Sequence, residues 1–175
     1  MHAEPSATIP GVVLHRLVRH DDDRGSLVEL HRQGWLPDRR WVQWNTMASA
    51  AGVLRGLHVH RRHCDLLFVL DGRMRLGLKD LRRGASRLAE QVLELDGDDP
   101  VAVLIPNGVA HGFFIHAATR HLYAVDDYFD PADELGCRWD DPGVGLFRDL
   151  RAPRISARDA AAPSLAELCA LLDRA

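Results

Sequence analysis

Short apolar runs alternate with Gly, Pro and Asp punctuation about every eight to twelve residues between positions 10 and 150. The runs are "GVVLHRLV", "GSLVEL", "RWVQWNTM", "VLRGLHVH", "DLLFVLDG", "RMRLGLKDL", "QVLELDG", "VAVLIP", "HGFFIHA" and "RHLYAVDDYF". They are too short, and too rich in β-branched and aromatic residues, for helices, so each is predicted to be a strand. The rhythm predicts an all-β sandwich or barrel. Two segments break it. One is a short segment around "DPADELG". The other is the tail "APSLAELCALLDRA", where Leu165, Leu168, Cys169 and Leu172 recur at i, i+3, i+4, i+7 and predict an amphipathic helix packed outside the barrel.

Composition narrows the class. A chain of 175 residues suits one domain, expected over 1–175, and 46% hydrophobic content argues against disorder. A net charge of −3 argues against a broadly basic nucleic-acid surface. No apolar run reaches the roughly 18–20 residues of a membrane span, and "MHAEPSATIP" lacks the basic start and apolar stretch of a signal peptide. The expectation is a cytoplasmic protein with neither nucleic-acid nor membrane partners. Cys64, Cys137 and Cys169 are odd in number and widely spaced, which predicts reduced thiols.

Candidate chemistry centres on "GVLRGLHVHRRHCDLLFVLDG", residues 52–72. On a strand, His58 and His60 face the same side, and a reversal at "RRHC" brings Asp65 back beside them. His63, at that reversal, reads as a solvated turn residue. The spacing G-x5-H-x-H-x4-D-x6-G resembles the first metal motif of the cupin superfamily, with Asp in the usual Glu position. "PNGVAHGF" resembles the second motif, with His111 in its ligand position. His58, His60, Asp65 and His111 thus form one candidate set for a divalent metal.

A longer resemblance points elsewhere. "DDRGSLVEL", "WVQWN", "GVLRGLH", "VLDGRMRLGLKDLRRGAS", "LIPNGVAHGF", "LYAVDDYFDPADELGCRWDDPGVGL" and "ISARDAAAPSLAE" occur in order over about residues 11–170. Together they resemble the dTDP-4-dehydrorhamnose 3,5-epimerase family. The resemblance implies a jelly-roll cupin that forms a homodimer, works without a cofactor, and takes a nucleotide-diphosphate sugar, dTDP-linked in the family. A C4 ketone acidifies the hydrogens on C3 and C5, so an epimerase needs a base on one ring face and an acid on the other. The resemblance makes His58 the base, oriented by Asp159 of "SARD", and Tyr123 the acid. It places Arg24 and Arg55 near the pyrophosphate, and arginine suits bidentate phosphate contact. Gln43 and Asn45 alternate onto one strand face toward sugar or nucleotide. Glu29 reaches toward the nucleobase, Trp139 is a stacking candidate, and His111 joins the binding set because metal-free members also carry "AHGF".

Departures from the family pattern gather around the pocket. Family members usually carry a lysine where this chain has Asp65, their "H-x-Q" is here "H-V-H", and the second tyrosine of "DYY" is Phe129. A carboxylate beside a developing enolate is repulsive unless another cation is present, either a protonated His60 or His63 paired with Asp65 or a metal ion bound by the cluster. Two alternatives therefore stay open: a metal-dependent cupin using His58, His60, Asp65 and His111, and a catalytically altered sugar-nucleotide binder. The metal alternative competes with base catalysis for the lone pair of His58.

Overall fold

The computed structural model describes residues 2–84 and 89–174. Ala85 and Ser86, which end one matched segment, and Ala175 of the tail lie outside the described residues. The strands are β1 (His2–Pro5), β2 (Val13–Arg16), β3 (Arg19–Asp22), β4 (Gly25–Val28), β5 (Gln43–Ser49), β6 (Leu54–Val59), β7 (Asp65–Asp80), β8 (Glu90–Asp96), β9 (Val101–Ile105), β10 (Val109–Val125) and β11 (Leu135–Gly136). Two α-helices follow, α1 (Ala157–Ala160) and α2 (Leu165–Asp173), and 3-10 turns occupy Gln33–Trp35 and Pro131–Asp133.

β7 and β10 each fuse two predicted strands. They pair antiparallel from Val125↔Asp65 to Val109↔Asp80, with register shifts between Ile115 and His121. Gly72, read in the sequence as a strand end, sits opposite those shifts with φ +79°, and a Cβ there would lie 2.0 Å from the Ala118 carbonyl oxygen. Only glycine lets the backbones pass so closely, so the punctuation bends the ribbon without ending it. Beyond the bend the neighbours change. β9 pairs with β7 over Asp65–Phe68 and β8 over Arg73–Lys79. β5 pairs with β10 over Thr119–Val125 and β6 around His111–Phe114. One ribbon thus serves two layers, β1-β2-β9-β7-β10-β5 and β8-β7-β10-β6-β11, which is the jelly-roll arrangement.

The space between the layers is filled by Leu67, Val69, Met74, Leu76, Leu78, Val103, Ile105, Val109 and Ile115. Both faces of the central strands are covered, which explains their continuous apolar runs. Outside one layer, Trp41, Cys64, Leu66 and Phe68 pack under Leu17, Leu30 and Leu36. Outside the other, Leu54, Leu57, Ala110 and Phe147 are covered by the C-terminal segment. There α2 lies on the exterior as predicted, with Leu168 buried and Leu165, Cys169 and Leu172 packed beside it. Ser164 starts the helix: its hydroxyl accepts from the Glu167 amide at 3.2 Å, and the Glu167 carboxylate accepts from the Ser164 amide at 2.8 Å. The turn around "DPADELG" also supplies the short strand β11, which pairs Gly136 with His58. The three cysteines are free. Among the described residues no helix is long and apolar enough to cross a membrane.

Candidate active site

A cavity of about 310 Å³ opens in the barrel, and β5, β6, β7, β10 and α1 all contribute side chains to its wall. His58, Tyr123 and Asp159 all reach it, although they are far apart in sequence.

His58 stands on β6, and its Nε2 lies 2.8 Å from Asp159 Oδ1. A carboxylate only accepts, so Nε2 carries the proton and Nδ1 keeps its lone pair. Asp159 is fixed from several sides. Its amide donates to the Ser156 hydroxyl at 3.0 Å, and its Oδ2 accepts from the Gly56 amide at 3.4 Å. Gly56 has φ +111°, and a Cβ there would meet the His111 carbonyl oxygen at 2.7 Å, so glycine allows β6 to press against β10 beside the dyad. Burial opposes ionisation of Asp159, but the hydrogen bond and charge of His58, with the Gly56 amide and Ser156, hold its carboxyl below the usual range. The pair therefore supplies an anionic partner that can support a proton gained at His58.

Tyr123 comes from β10, in register with Asn45 of β5 and Leu67 of β7. Burial first, then the negative charges of Asp65 and Glu134, push its phenol above the ordinary value, against the opposing charge of Arg55. It is held in the protonated form that a proton donor needs. Gln43 donates to Asn45 Oδ1 at 3.1 Å and accepts from the Phe129 amide at 3.0 Å, which ties the "DYF" loop to the cavity mouth. Arg55 donates from Nε to the Ser49 hydroxyl at 3.0 Å and, among the described residues, makes no ion pair. Its guanidinium is available to an anionic ligand.

The far wall is a histidine cluster. His60 and His63 stack with centroids 4.0 Å apart, and His111 is tilted against His60 at 5.3 Å. The expectation of a solvated His63 is overturned, since it is only 5% exposed. Asp133 is the reason. Its carboxylate accepts from the amides of Arg61 and Arg62 at 3.0–3.1 Å, pulling the "RRHC" reversal inward. Glu134 follows, bridging Arg158 at 3.1 Å and His60 Nδ1 at 3.3 Å. Burial, and then the neighbouring His63, lower His60 to about 4. Asp65 is raised well above its ordinary value by burial and by Glu134 and Asp126. Glu134 and Arg158 are not among the sequence candidates. Their only signal lies in the segment around "DPADELG" and in the arginine of "SARD".

The dTDP-4-dehydrorhamnose 3,5-epimerase family model matches residues 6–167. The chain belongs to this family. A dTDP-4-dehydrorhamnose 3,5-epimerase of Neisseria gonorrhoeae is 32% identical over 91% of this chain and 51% of the relative, so the chain spans about half that relative's length. The spore coat polysaccharide biosynthesis protein SpsL of Bacillus subtilis is 33% identical over 79% of this chain and 95% of its own. Among solved structures, the Legionella pneumophila dTDP-6-deoxy-D-glucose-3,5-epimerase in complex with dTDP-4-keto-L-rhamnose superposes with a TM-score of 0.86 at 29% identity, covering 95% and 96% of the two chains.

Set in this family, three sequence expectations need correction within the single chain. Arg24 and Glu29 do not line the cavity. β3 and β4 form a separate two-stranded sheet, where Arg24 is 84% exposed and paired with Asp22, and Glu29 pairs with Arg32 at 2.6 Å. Trp139 packs on the outer apolar cluster, against the face that Cys137 and Leu146 occupy, and not on the cavity. The candidate metal set also regroups. Among the described residues the group whose ligand atoms lie within 4.8 Å of one another is His60, His63 and Asp65, and neither His58 nor His111 belongs to it.

Proposed function

We propose that the chain inverts C3, C5 or both in a dTDP-linked 4-keto-6-deoxyhexose, as a step of deoxysugar biosynthesis. The reading is carried by the 2.8 Å His58–Asp159 pair opening into the same cavity as Tyr123, in a member of this family. His58 Nδ1 takes the proton from the carbon beside the ketone, the bonding electrons move onto O4, and Tyr123 returns a proton to the other face. The proton transfers are made by side chains and need no cofactor. Arg55, with Gln43 and Asn45, is assigned to the nucleotide-sugar ligand. An ion on His58 would take the Nδ1 lone pair, the one that the Asp159 bond leaves free, and so competes with base catalysis for the same atom. In D2O, the wild-type protein should place deuterium at C3 or C5 of dTDP-4-keto-6-deoxyglucose, followed by proton NMR. Binding of the sugar nucleotide without exchange at either carbon would hand the fold to the altered-binder reading.

A homodimer completes this reading. The β3–β4 hairpin projects Leu27, 63% exposed, together with Arg24. A two-fold partner would receive that hairpin and bring Arg24 and Glu29 to the pyrophosphate and nucleobase of its own ligand. Light scattering at micromolar concentration is expected to give twice the chain mass, and a monomer there would count against it. A nucleotide-sugar substrate and three free cysteines fit a reducing, cytoplasmic setting.

A further inference from the structure

The geometry points to a divalent transition-metal site formed by His60, His63 and Asp65, open toward the cavity and separate from the His58–Asp159 pair. The three side chains are 6%, 5% and 6% exposed. Their ligand atoms all lie within 4.8 Å of one another.

His60 is already oriented as a ligand. Its Nδ1 faces the Asp133 carbonyl at 3.4 Å and Glu134 Oε1 at 3.3 Å, both acceptors. The proton therefore sits on Nδ1, and Nε2 presents its lone pair to Asp65 Oδ2 at 4.0 Å. That gap is too long for a hydrogen bond. Two ligands at about 2.1 Å from one tetrahedral ion stand about 3.4 Å apart, so a small side-chain rotation closes it. A ring N–H held by a carbonyl or carboxylate is the outer partner that metal-bound histidines commonly have. Two imidazoles and a carboxylate leave further coordination positions vacant, as at sites that act on a substrate.

All three residues share the cavity wall with His58 and Tyr123. This part rests on the epimerase reading: a bound ion would accept a lone pair from the keto oxygen and offset the negative charge arriving there as His58 Nδ1 takes the proton. The ion is neither oxidised nor reduced, and the electrons return to carbon when the acid delivers its proton.

The test uses the full chain after chelator treatment. Titration with Co(II), read by visible absorption and elemental analysis, should reach one ion per chain. Asp65→Asn and His63→Gln each remove a direct ligand and should weaken binding by more than the roughly 10–100-fold that loss of an outer partner costs. Absence of saturable binding, or unchanged affinity in both variants, would overturn the site. Because either substitution can disturb the buried cluster, the Co(II)-loaded wild type provides a second reading. Its NMR spectrum should show two strongly shifted imidazole ligands, and any other number contradicts the assignment. Metal binding without deuterium exchange, with or without the ion, would remove the epimerase reading and leave the site. Exchange in a protein that binds no ion would do the reverse.

Discussion

The His58→Ala variant is expected to lose deuterium exchange at the carbons beside the keto group by about 10²–10⁴-fold, the usual contribution of a positioned general base. That range corresponds to about 2.7–5.4 kcal/mol of transition-state stabilisation. Binding of dTDP should change little, because Arg55, Gln43 and Asn45 are untouched. The expectation follows from the tautomer. With Nε2–H donated to Asp159 at 2.8 Å, Nδ1 is the ring's only free lone pair. Asp159→Asn should produce a loss of similar order by another route. The amide can donate to Nε2, which moves the ring proton to Nδ1 and removes the basic lone pair. It also withdraws the negative charge that supports the imidazolium. Asp159 is thus a positioning residue, and its substitution should lower kcat while leaving KM nearly unchanged. Free imidazole should restore part of the His58→Ala exchange by occupying the vacated space, a rescue that a merely structural role would not give. Exchange within tenfold of wild type in the His58→Ala protein would end the case for this base.

Much of this architecture could be read from the sequence, for reasons that differ between elements. Strand runs such as "VAVLIP" and the 3.6-period tail record burial directly in their residues, and both appear where periodicity places them. Gly72 was misread because a glycine marks either a turn or a bend. The choice was made by the Ala118 carbonyl of a strand far away in sequence. His63 was misread for a related reason: the Asp133 carboxylate that draws its loop inward belongs to another segment, and no local pattern around "RRHC" announces it. His58 and Asp159 were paired through the family resemblance and not through spacing. Periodicity alone does not join residues so distant in the chain. Arg24 and Glu29 mark the limit of single-chain reasoning, since their hairpin is separate from the main sheet and both side chains turn to local ion partners.

For Tyr123→Phe, exchange at the face served by His58 should stay within about tenfold of wild type, while formation of the inverted sugar should fall by about 10²-fold or more. The two readouts separate because they follow different protons. Exchange requires only that His58 remove a proton and return a deuteron to the same face. Inversion requires a proton from the opposite face, and the phenol is the group assigned to deliver it. Its fitness as donor comes from its surroundings: burial, with the charges of Asp65 and Glu134, keeps the hydroxyl protonated. Phenylalanine preserves the aromatic ring in register with Asn45 and Leu67, so the barrel should fold as before. Proton NMR in D2O measures both quantities in one sample, deuterium content at C3 and C5 and the ratio of epimers. A parallel fall in exchange and inversion would mean that Tyr123 acts by positioning the sugar. Unchanged inversion would remove it as the acid and turn the search to the other donors on that cavity wall, Arg55 and the cluster around His111.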